Sequence, residues 1–138
     1  MEYIHGTATK LTVCIDNDQH PLIIYSGAHF SIVAKEYLDK HFPNWEKNLL
    51  ATKSKNVKNA SGKMKSIGTI IKEIIIPHGK GNIRLNPEFV VLEDAHIQGF
   101  LLGTEYQRMY CIVIYNSKNR HITIGTKKGK KAHLIYTI

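Results

Sequence analysis

The chain has 138 residues, of which 43% are apolar and 22% charged, and it carries a formal net charge of +8 at pH 7. That length fits one domain around one core, and the apolar share excludes a chain that is disordered throughout. The longest apolar run, Ile67 to Pro77, is broken by Gly68, Lys72 and Glu73 and falls short of the roughly 18 residues a membrane-crossing helix needs.

Met1 to Lys10 has no apolar stretch of the kind a secretory signal carries. The expectation is an intracellular, cytoplasmic protein with no membrane partner. Cys14 and Cys111 are the two cysteines, too few for a disulfide framework, and are expected as free thiols. The sequon Asn59-Ala60-Ser61 would matter only in a secreted chain. Lysines cluster at 53, 55, 58, 63 and 65 and again at 127, 128, 130 and 131. Such a face can attract nucleic acid, but without arginine or interleaved aromatics it reads first as a solvated surface.

In chain order, Leu11 to Ile15 is short, apolar and partly β-branched, which predicts a strand. Asp16-Asn17-Asp18 is turn chemistry, and Pro21 to Tyr25 is the returning strand of a hairpin. Ser26-Gly27-Ala28 breaks it. Ser31 can cap a helix, with Ile32, Val33, Tyr37 and Leu38 at helical spacing as far as His41 before Pro43 ends it. Trp45 reads as a packing anchor.

Ser61-Gly62-Lys63 is expected at a hairpin tip, followed by one long strand from Met64 to Ile76. Pro77 to Asn82 is a glycine-rich turn. Ile83 to Leu92 is a strand in which Pro87 implies an edge position or a kink. Gly99 to Gly103 is a buried apolar strand. Thr104 is expected to cap a short helix reaching Arg108 or Met109. Cys111 to Tyr115, His121 to Gly125 and His133 to Tyr136 are three more short strands. The fold class is therefore all-β, closed or sandwich-like, with one or two short helices, in a single domain over residues 1–138. Its core covers residues 11–125, and residues 126–138 form a basic C-terminal segment.

Two apolar strands end in glycine-containing corners: Leu22-Ile23-Ile24-Tyr25-Ser26-Gly27-Ala28, and far downstream Phe100-Leu101-Leu102-Gly103. Between them lie the Gly62 hairpin and Ser66-Ile67-Gly68. This order resembles the retropepsin family, the one-lobe aspartic proteases of retroviruses and long-terminal-repeat retrotransposons, with a flavour closest to the Gypsy type. The resemblance implies a closed acid-protease barrel, endopeptidase ancestry on Gag-Pol-like polyproteins, and a homodimer. It also implies that Ser61, Gly62 and Lys63 form a peptide-binding flap, and that Leu101, Leu102 and Gly103 support the catalytic loop. No cofactor and no metal are implied.

In that family the loop carries Asp-Ser-Gly-Ala or Asp-Thr-Gly-Ala. Here Tyr25 fills the aspartate position, ahead of Ser26, Gly27 and Ala28. Aspartic proteases use two carboxylates about 3 Å apart that share one proton and activate a water between them. A phenol, with a reference pKa of about 10, is a poor base at neutral pH and cannot offer a water two acceptor oxygens. Losing a central catalytic group costs on the order of 10⁴ to 10⁶ in rate. The expectation is an inactive member that still dimerises and still takes extended peptides as an added strand. Asp16 and Asp18, at the far end of the hairpin, are too distant to substitute. Ser26 is either a brace across the dimer or a plain turn serine.

Two other chemistries have little behind them. Cys14 or Cys111 with a histidine lacks any cysteine-protease signature, and no His pair has zinc-ligand spacing with a cysteine. A basic nucleic-acid-binding module, or activity by another route, are the remaining alternatives.

Overall fold

The computed structural model describes residues 8–50, 57–59, 62–79, 81–115, 121–125 and 131–135, with the backbone path alone for 57–59, 62–64 and 131–135. Strands β1 (Ala8–Ile15) and β2 (Asp18–Tyr25) form the expected hairpin, in register from Ala8↔Tyr25 to Ile15↔Asp18. Its turn is tighter than the sequence suggested. Asp16 and Asn17 alone make it, at φ 52° and 68°, the left-handed pair that a two-residue hairpin turn demands. Alternate residues Leu11, Val13, Ile15, Leu22 and Ile24 point into the core.

The helix expected from Ser31 onward starts later. Ile32, Val33 and Ala34 form β3 (Ile32–Ala34), all three buried, parallel to β9 (Glu88–Leu92) and antiparallel to β10 (Phe100–Leu102). A β-branched pair with sheet on both sides is more favourable there than in a helical turn. Helix α1 (Lys35–His41) follows with Ala34 at its N-cap, so Ser31 does not cap it. Trp45 is buried as anticipated, opens a short 3-10 turn (Trp45–Asn48), and donates its indole N–H to Asp39 Oδ1 at 2.8 Å.

The single long strand expected from Met64 to Ile76 is three: β5 (Gly62–Met64), β6 (Ser66–Ile71) and β7 (Ile74–His78). Likewise Ile83 to Leu92 divides at Asn86-Pro87 into β8 (Gly81–Leu85) and β9. Pro87 therefore marks a break rather than an edge position. Both breaks let the chain change sheet ends. In the eight-stranded order β6-β9-β3-β10-β2-β1-β7-β8, β6 and β7 lie near opposite ends, as do β8 and β9. At the first break Lys72 is buried, but its ammonium reaches Asp16 Oδ2 at 2.6 Å and lies 4.8 Å from the centre of the Phe42 ring.

This sheet curls into a half-barrel, so the fold is all-β with two short helices. Its core centres on Phe89, Phe100 and Leu38, with Phe42, Tyr37 and His20 stacked edge to face around Phe100. After helix α2 (Thr104–Met109), strands β11 (Ile112–Tyr115), β12 (His121–Gly125) and β13 (Lys131–Ile135) form a three-stranded sheet. Its inner face buries Ile122 and Ile124.

The hairpin around Gly62 pairs β4 (Val57–Asn59) with β5, joining Asn59 to Gly62 and Lys58 to Lys63. Gly62 and Lys63 thus belong to the returning strand rather than the tip, and Ser61 lies outside the described residues. Gly68 sits at a register shift in β6 at φ 139°. A Cβ there would meet the backbone oxygen of Leu50 at 2.7 Å, so that position is confined.

Candidate active-site loop

β2 carries the chain to Tyr25, and Ser26 and Gly27 make an exposed turn beyond it. Beneath, β10 runs parallel to β2 with Phe100 opposite Leu22, Leu101 opposite Ile23 and Leu102 opposite Ile24. Leu102 is fully buried and Leu101 half-buried. The two carboxyl ends of these parallel strands therefore emerge side by side, and both glycine corners meet there.

Gly103 is wedged under the loop. A Cβ on it would lie 2.5 Å from the backbone oxygens of both His29 and Phe30, so no larger residue fits without moving main chain. Its buried N–H donates to Ser31 Oγ at 2.9 Å. That bond gives Ser31 its role in place of the helix cap expected from sequence. Thr104 does not cap α2 with its side chain. It is the first helical residue after Gly103, and its backbone N–H donates to the Ala28 oxygen at 2.9 Å. The next N–H, of Glu105, donates to the His29 oxygen at 3.1 Å. The otherwise unpaired amides of the first helical turn thus hold the loop's own carbonyls.

Three side chains of this region, those of Gln107, Tyr106 and Tyr110, carry contacts that no sequence pattern announces. The side-chain nitrogen of Gln107 donates to the oxygens of both Tyr25 and Leu102, each at 3.0 Å. Tyr106 accepts from the Glu88 N–H at 2.9 Å and Tyr110 from the Asn86 N–H at 3.2 Å, their rings stacked at 5.7 Å. Burial above all pushes the Tyr106 phenol above its ordinary pKa, against the lowering pull of the Glu88 N–H bond and with a smaller push from Glu105 and Glu88, which keeps it neutral. Helix α2 therefore grips the loop with one side and the Asn86-Pro87 break with another.

The ring of Tyr25 does not project away from the turn. It folds back over Gly27, close enough that a Cβ on Gly27 would collide with Cζ and the hydroxyl oxygen of Tyr25. Asp18 is seven positions up the strand from Tyr25, about 23 Å at the usual rise per residue, and Asp16 is held by Lys72. Glu93 pairs with Lys65 at 3.0 Å, and Glu36 with His96 at 2.9 Å. Cys14 and Cys111 are free thiols. Among the described residues no group of three or more His, Cys, Asp or Glu side chains is placed to hold a metal ion. No helix among them is long and apolar enough to cross a membrane.

No protein-family model matches the sequence, and no curated protein does. Solved structures do match. The retroviral protease-like domain of Ddi1 from Leishmania major superposes with a TM-score of 0.68 at 16% identity, over 96% of this chain and 95% of that one. The fold is that of the retropepsin-like aspartic proteases. A retropepsin-like aspartic protease from Rickettsia conorii gives a TM-score of 0.53 at 18% identity, over 92% of this chain and 86% of its own. The EIAV protease in complex with the inhibitor HBY-793 gives 0.51 at 14% identity, over 79% and 93%. The retropepsin-like fold thus spans nearly the whole chain, with the loop Tyr25–Ala28 and the Gly103 corner built into it.

Proposed function

We propose that this chain is a retropepsin-like aspartic endopeptidase domain of retrotransposon origin, Gypsy-type and once part of a Gag-Pol polyprotein, in which Tyr25 has taken the place of the catalytic aspartate. It does not hydrolyse peptides. The observation that carries this reading is the position of Tyr25: it stands at the end of β2, directly before Ser26-Gly27-Ala28, with the β10–Gly103 corner tied beneath by the Ser31, Thr104 and Glu105 bonds. A loop kept in full while its acid is absent is what a pseudoenzyme retains. Water activation by a carboxylate pair has no carboxylate at this position.

The domain acts as a cytoplasmic homodimer. One lobe carries one loop, so two lobes related by a twofold axis are needed to assemble a cleft. Exposed Ser26 and Gly27 lie on that axis, and Ser26 braces one loop against the other. The outward positions Val113 and Tyr115 of β11 are exposed apolar surface of the kind a self-association face covers. Extended peptides enter as an added strand between the β4–β5 hairpin, whose Ser61, Gly62 and Lys63 serve as the flap, and the loop floor.

The experiment is a comparison of the unaltered chain with Tyr25→Asp on a peptide library, with both sized in solution. Cleavage by Tyr25→Asp alone supports the reading. Cleavage by the unaltered chain at a similar rate refutes it.

A further inference from the structure

Tyr25 O and Leu102 O sit at the carboxyl ends of two neighbouring parallel strands, where the ladder between those two strands stops while Tyr25 still faces Ala8 of β1. Main-chain acceptors at such an end need donors from elsewhere. One side chain supplies both. The Gln107 amide nitrogen, half-buried on α2, lies 3.0 Å from each oxygen. Because both partners accept only, the amide must present its NH2 end, and its two hydrogens go one to each carbonyl. Gln107 is itself held by its own N–H donating to the Gly103 oxygen at 3.2 Å. The staple, the Gly103 wedge and the Thr104 and Glu105 amides thus converge on residues 25–31 from a single short helix.

We infer that Gln107 is the positioning residue of the Tyr25 loop, and that this loop takes its working shape within one chain, before any partner arrives. The loop's geometry is then a property of the monomer, and association adds a second loop without building the first. The inference rests on the proposed function only in regarding residue 25 as the former catalytic position. The staple itself holds whatever stands there.

Nuclear magnetic resonance tests this on the unaltered chain. Both side-chain amide protons of Gln107 should exchange at least about tenfold more slowly than those of the exposed Gln19 and Gln98. The protection should be the same at protein concentrations where the chain is monomeric and where it is associated. Protection that appears only in the associated sample overturns the single-chain claim, and exchange as fast as Gln19 overturns the staple.

Two variants separate positioning from space filling. Gln107→Leu keeps bulk and removes the donors. Gln107→Glu keeps shape and turns acceptor oxygens toward two carbonyls. The carbonyl-carbon resonances of Tyr25 and Leu102 should move upfield together in both. Exchange of the Thr104 and Glu105 amides should quicken by about tenfold in Gln107→Leu and more in Gln107→Glu. A Gln107→Glu chain indistinguishable from the unaltered one would assign Gln107 to packing alone. A failure of Tyr25→Asp to cut would leave these readouts untouched, so the two proposals fall separately.

Discussion

The ring of Tyr25 lies against Gly27, two residues on, so that any side chain at position 27 would run into it. The turn's exposed backbone is therefore roofed by its own chain. Gly27→Ala should cost at most about 1 kcal/mol of stability, because the far end of the half-exposed ring can swing aside. Its backbone does not require glycine by a left-handed φ, so the cost should come from the ring. The check is a double-mutant cycle by urea unfolding. Gly27→Ala in a Tyr25→Ala background should lose most of that penalty.

Gly103 meets main chain where Gly27 meets a side chain. The His29 and Phe30 oxygens cannot rotate away, so Gly103→Ala should be worse than Gly27→Ala. Ser31→Ala leaves the buried Gly103 N–H without its acceptor and should cost about 1–3 kcal/mol. Chemical denaturation of both variants measures this. A Gly103→Ala chain as stable as the unaltered one would contradict the wedge.

His20 gives the stability a pH dependence. It is buried, with Nδ1 2.6 Å from the Tyr37 hydroxyl and Nε2 without a hydrogen-bond partner. Burial first, then the His41 charge and more weakly Lys72, hold its pKa below the ordinary 6.5, against the opposing pull of Asp18 and Asp16. Burial also raises the Tyr37 phenol, which stays protonated. The folded state therefore binds fewer protons than the unfolded one below about pH 6.5. Stability from His20 is present above that pH and is lost as pH falls through the lower, folded value. Thermal melts from pH 7.5 to 5 should show a falling Tm. The fall should shrink in His20→Gln, which keeps a polar partner for Tyr37 without titrating.

Much of the site was legible because it is local. An apolar run ending in Tyr25-Ser26-Gly27-Ala28, and a second ending in Gly103, announce strand ends that need no knowledge of partners. The breaks at Lys72-Glu73 and Asn86-Pro87 were less visible. They lie inside β-rich stretches, and what decides them is which end of the sheet each half joins. Ile32 and Val33 misread as helix because their spacing to Tyr37 and Leu38 suits either element, and only flanking by β9 and β10 selects the strand. Nothing in the sequence signalled the bond of Ser31 to Gly103 or the role of Gln107. Ser31 bonds to a residue 72 positions away and Gln107 to one 82 away, and no short pattern encodes such distances.

The measurement that bears most directly on the central claim is peptide hydrolysis by the unaltered chain and Tyr25→Asp, side by side, at mildly acidic and neutral pH with and without a pepstatin-like inhibitor. Turnover is expected from Tyr25→Asp alone, abolished by the inhibitor, with the unaltered chain lower by on the order of 10⁴ or more. Inhibitor-sensitive cleavage by the unaltered chain at a comparable rate would contradict it and place the chemistry on another residue.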